Sequence, residues 1–164
     1  MTRLVCSLVL SAAATLALAL AVNPPALAQN RALLELLENA VRADCQFTGV
    51  ARGEWSDGGA RFNAEAVDYR AVFFDIDVES GTAEAEGQFG ASYIVVRYAE
   101  GYLHLMQTLS SGPIYVTTIL AEPSAEGRLK AVHTRHEYTQ VSLPGYTSRP
   151  ESYLGDCSVE RAGG

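Results

Sequence analysis

The densest run of reactive side-chain types in this chain lies between Ala131 and Tyr138, where His133, Arg135, His136, Glu137 and Tyr138 fall within six residues. On a strand, successive side chains point to opposite faces. Alternation therefore groups His136 and Tyr138 with Val132, and His133 with Arg135 and Glu137. The face bearing Val132 and Tyr138 is the more apolar, which places it inward and takes His136 with it. His104 shares a face with Tyr102 and Met106 and meets His136 across the sheet on this reading. The expectation is a pocket lined by His104, His136, Tyr102 and Tyr138, in which a few polar groups orient a ligand inside an apolar cavity. The competing reading makes His136 an interior histidine satisfied by a tyrosine hydroxyl or a backbone carbonyl.

Other chemistries find less support in the spacing. His133 and His136 stand three apart and so diverge on a strand. Zinc requires three or four ligands, and no metal is expected. Asp75, Asp77 and Glu79 alternate onto one face, with Glu86 at the twelfth place of a calcium-loop register. The glycine there is at position seven instead of six and the flanks read as strands, not helices, so a solvated, charged face fits better. No Gly-x-Ser-x-Gly elbow, phosphate loop or dinucleotide fingerprint occurs, and Ser110-Ser111 sits in a turn. The reading leans away from an enzyme and implies no cofactor. Tyr69, Tyr93, Tyr98, Tyr102, Tyr115 and Tyr138 spread through six strand candidates, consistent with strand propensity or with an amphipathic lining.

These groups need a scaffold, and the scaffold begins after an export signal. Met1-Thr2-Arg3 is a short positive start, Leu4–Val22 is apolar, Asn23-Pro24-Pro25 breaks it, and Ala26-Leu27-Ala28 offers the small residues a signal peptidase reads. Residues 1–28 are expected to be removed, leaving 29–164 as one domain, periplasmic or secreted, with no membrane span. Losing Arg3 takes the net charge from −7 to −8. An acidic chain lacks the electrostatic footprint for nucleic acid or anionic lipid. Cys6 leaves with the signal, and Cys45 and Cys157 remain. In an oxidising compartment two cysteines imply one disulfide; the alternatives are free thiols or a metal site. The loop it closes is long enough for stabilisation on the order of 4–5 kcal/mol.

Leu33, Leu34, Leu36, Leu37 and Val41 recur at helical spacing, predicting one amphipathic helix over 30–43, its end pinned by Cys45. Beyond it, strand patterns cover 46–55, 60–69, 71–78, 82–88, 91–98, 102–109, 114–121 and 128–140, and 60–78 carries no internal turn signal. Seven or eight short strands with tight turns predict an all-β antiparallel meander closed into a barrel, which removes exposed edges; a β-sandwich is the alternative. Pro144, Gly145 and Pro150 predict an irregular tail stapled by Cys157.

Gly53-Glu54-Trp55 ends the first strand pattern just after the helix. A Gly-x-Trp there resembles the calycin barrels, the lipocalins and fatty-acid-binding proteins. The resemblance implies that Trp55 packs across a closed end beneath an arginine from a late strand, with Arg135 the candidate. It implies an exported binding protein for a small apolar or amphipathic ligand. The alternatives are an envelope protein-binding module, acting as inhibitor or assembly factor, and a hydrolase or isomerase working in the barrel mouth.

Overall fold

The computed structural model describes residues 24–56, 58–86, 94–109, 113–136 and 150–163, with 24–27, 55 and 56 given by backbone alone. One helix, α1 (Pro24–Glu38), precedes eight strands: β1 (Ala40–Ser56), β2 (Gly59–Asp77), β3 (Thr82–Ala85), β4 (Ile94–Ala99), β5 (Tyr102–Thr108), β6 (Ile114–Pro123), β7 (Leu129–His136) and β8 (Pro150–Arg161). Each strand pairs antiparallel with the next, and β1 pairs with β8 to close the barrel. The chain separates into two compact units, Met1–Leu33 and Leu34–Gly164, so the last turn of α1 belongs with the barrel.

The helix stops earlier than its apolar spacing predicts. Asn39 accounts for the stop: its backbone N–H and its side-chain Nδ2 both donate to the Glu35 carbonyl, at 3.2 and 2.8 Å. Ala40 then enters β1, where register with Arg161 of β8 takes over. Residues 40–43 are strand because pairing across the closing seam outweighs a local helical pattern. Leu37 is fully buried, and the Leu34 carbonyl accepts the Tyr98 hydroxyl at 3.3 Å. Gly101 adopts φ +86 in the turn between β4 and β5, where a Cβ would lie 3.0 Å from Leu34 Cδ2 and 3.2 Å from Ala121.

Residues 60–78, which carry no turn signal, are largely one strand of 19 residues, β2. The tail is not irregular where it matters. Residues 150–161 form β8, the strand that completes the barrel. Pro150 is compatible because it is the strand's first residue. Gly155 is required by proximity: a Cβ there would sit 2.6 Å from Phe47 Cα and collide with the Gln46 carbonyl. This close approach falls beside the register shift in β1 between Phe47 and Gly49, where Thr48 is bulged out and exposed. Cys45 and Cys157 are direct partners on this seam, bonded as a disulfide and fully buried. The bond therefore joins the first strand to the last instead of pinning the helix. No helix among the described residues is long and apolar enough to cross a membrane.

Candidate functional site

Register arranges the inward side chains in rows around the barrel. At the end with the last turn of α1, the interior is apolar: Leu103, Ile119, Leu129 and the disulfide are essentially inaccessible, with Val96 and Phe73 also buried. Toward the far end, where β7 passes to β8, the rows change character. One runs Leu105, Thr117, His133, Tyr153 and Val50, and the next runs Tyr115, Arg135, Glu151 and Arg52.

The inward face of β7 is the reverse of the one its Val132 and Tyr138 pattern predicts. His133 is 2 % exposed, while His136 is on the outer face and exposed. The wider pattern carries the signal for this orientation. Leu129 and Ala131 share the parity of His133 and are buried, whereas Lys130 shares that of Val132 and His136 and is exposed. The expected pocket is consequently not formed. His104 and Tyr102 lie on the outer face, stacked with ring centroids 6.0 Å apart, and His104 Nδ1 bonds Thr118 Oγ1 at 2.9 Å. In register His104 aligns through Thr118 with Val132, four residues from His136, or about 13 Å along the strand. Tyr138 lies outside the described residues. So does the Trp55 side chain, although its backbone, paired with Ala60, is three residues beyond Arg52 at the far end.

What the far end does assemble is an arginine ringed by tyrosines. The Arg135 guanidinium carbon stands 4.4 Å from the Tyr69 ring centroid, 5.0 Å from that of Tyr153 and 5.2 Å from that of Tyr115. Its Nε donates to His133 Nε2 at 3.3 Å. With Nε2 accepting, the proton of the neutral imidazole sits on Nδ1 and is donated to Thr117 Oγ1 at 2.8 Å. Burial, seconded by the charge of Arg135, pushes the His133 pKa down to about 3, which fixes this neutral form. Phe47 completes the packing, 5.6 Å from the imidazole and 5.8 Å from the Tyr69 ring.

The acid of the cluster is committed elsewhere. The Glu151 side chain is 1 % exposed. It accepts Arg52 Nε at 2.7 Å on one oxygen and the Tyr153 hydroxyl at 2.5 Å on the other. Burial works against its ionised form, but these hydrogen bonds and the positive charge of Arg52 and Arg135 hold its pKa below the usual value. Tyr153, buried and bonded to that carboxylate, is pushed up to about 12 and stays protonated. Arg52 also pairs with Glu65. Burial opposes the charge on Arg135 too, and the surrounding Tyr69, Tyr153 and Tyr115 more than offset it, so its pKa is raised. Among the described residues no carboxylate stands within ion-pair distance of Arg135.

The acidic segment 75–79 is structural. Asp75 and Asp77 are exposed while Ile76 is buried between them, and Asp77 Oδ1 accepts the Ser80 backbone N–H at 2.9 Å, closing the turn into β3. No group of three His, Cys, Asp or Glu suited to a metal occurs among the described residues. Comparison of the chain with protein-family models, with curated proteins and with solved structures found no match.

Proposed function

We propose that this protein is an exported β-barrel that binds a small amphipathic ligand at its far end, with Arg135 receiving an anionic head. The observation that carries this reading is the setting of Arg135. A guanidinium turned into a barrel among three phenol rings, hydrogen-bonded to Tyr69 and with no carboxylate at ion-pair distance among the described residues, keeps an unneutralised positive charge to offer an oxyanion. The head is a monoanion such as a carboxylate. A mature chain of net charge −8 repels a dianion, and Glu151 lies one strand away. The core toward the helix end is occupied by bulky side chains such as Leu103, Ile119 and Leu129, so the ligand's apolar body lies at the rim. The buried disulfide and the Ala26-Leu27-Ala28 signal support a periplasmic or secreted location.

Titration with dodecanoate and with dodecanol, followed by intrinsic fluorescence, tests this. The wild type should bind dodecanoate saturably, and Arg135→Met should bind it about tenfold more weakly or worse, the size expected for losing a charge-assisted hydrogen bond. Absence of saturable dodecanoate binding by the wild type would sink the proposal. A second reading, an envelope protein-binding module, is favoured by one specific feature. The β1–β2 hairpin runs past Arg52, the last β1 residue paired with β8, and carries Phe62 at 85 % exposure. Phe62→Ser should then abolish co-purification of a partner while leaving dodecanoate binding intact.

A further inference from the structure

Export cleavage would give Gln29 a chemistry it lacks in the precursor. Cutting after Ala26-Leu27-Ala28 leaves Gln29 as the first residue, and only a terminal glutamine has a free α-amine within reach of its own side-chain amide. We infer that Gln29 is a modification site, closed to pyroglutamate in the mature protein; the inference rests on the export reading above. In this step the α-amine nitrogen attacks the side-chain amide carbon. A new N–Cδ bond closes a five-membered lactam, the Cδ–Nε2 bond breaks, and ammonia departs carrying the proton the amine gives up. No oxidant, reductant or second substrate enters.

Three observations favour closure here. Ala28, Gln29 and Asn30 are all exposed, so the new terminus would be accessible. The scissile bond lies within α1, which runs from Pro24 to Glu38, so the mature helix begins at the newly made terminus and keeps about ten residues. The positive end of a helix disfavours an ammonium group. Its new first turn, Gln29-Asn30-Arg31-Ala32, holds no acidic residue to offset that charge. Closing the lactam removes the charge and leaves a neutral cap.

The test expresses the full chain in an exporting host and reads the intact mass of the exported protein directly. The expected mass is that of residues 29–164 with one disulfide, lighter by one ammonia. Digestion after glutamate should place the loss in the peptide Gln29–Glu35. N-terminal degradation should be blocked in the wild type and restored in Gln29→Ala. A free Gln29 amine overturns the inference and leaves the export reading standing. A first residue other than Gln29 overturns the inference together with the proposed cleavage.

Discussion

The two ends of the barrel interior are built on opposite principles. Toward the helix end, Leu103, Ile119, Leu129 and the Cys45–Cys157 disulfide fill the space with groups that lose nothing by leaving water. At the far end the same strands turn Arg52, Glu151, Arg135 and His133 inward, with three tyrosines. Desolvating charges costs free energy that a well-packed apolar cluster avoids, and such clusters often stabilise no better than the hydrophobic residues that could replace them. The contrast sets an apolar end that closes the barrel against a charged end that carries the proposed recognition.

The sharpest way to break this division is to cut the seam. Cys157→Ser removes a bond spanning 112 residues and should destabilise the fold by about 5 kcal/mol, read from denaturant midpoints. A loss below about 1 kcal/mol would mean that the apolar end closes the barrel without it. Next in size is Leu103→Ala, which empties a fully buried site and should cost about 3 kcal/mol. The same measurement showing a negligible loss would contradict a filled helix end.

The far end should announce itself through pH. His133 has its pKa depressed from 6.5 to about 3, so the unfolded chain binds a proton that the folded chain refuses throughout that window. Stability is complete above pH 6.5 and falls as pH drops toward 3. Between pH 6.5 and 5 the fall should be about 2 kcal/mol, and His133→Gln should flatten it. Glu151, also depressed, loses its contribution only at lower pH, as it protonates. A wild type with constant stability from pH 6.5 to 5 would show that His133 is not buried as a neutral ring.

The smallest effect belongs to Arg135→Met. Losing the ring contacts is offset by no longer burying a charge, so thermal stability should change by less than about 1 kcal/mol. The variant should also raise the pH at which His133 takes its proton, because the Arg135 charge is one cause of the depression. A collapse of the fold would instead make Arg135 a structural keystone and weaken the case for recognition.

Much of this architecture is written locally. Alternating strands, the glycine-marked turns at Gly81, Gly101 and Gly127, and the apolar spacing of Leu33–Leu37 are properties of short segments, as steric and solvation preferences are. The pairing of Cys45 with Cys157 is legible too, as the one intramolecular disulfide left if Cys6 is removed with the expected export signal. The all-β meander and a helix at the N-terminal side follow from such signals. Other decisions depended on residues far apart in sequence. Ala40–Ala43 became strand because β8 lies alongside, and residues 150–161 became strand because β1 needed a closing partner. Gly155 reads as a breaker until Phe47 is found pressed against it. Above all, whether His133 or His136 points inward is a matter of which face of β7 meets the interior. The window Ala131–Tyr138, of mixed polarity, does not by itself fix that face, and the signal lies in Leu129 and Lys130 just before it. The barrel fixes it, because Leu129 and Ala131 must be covered and Lys130 must remain in water. Arg135 then follows them inside by parity alone.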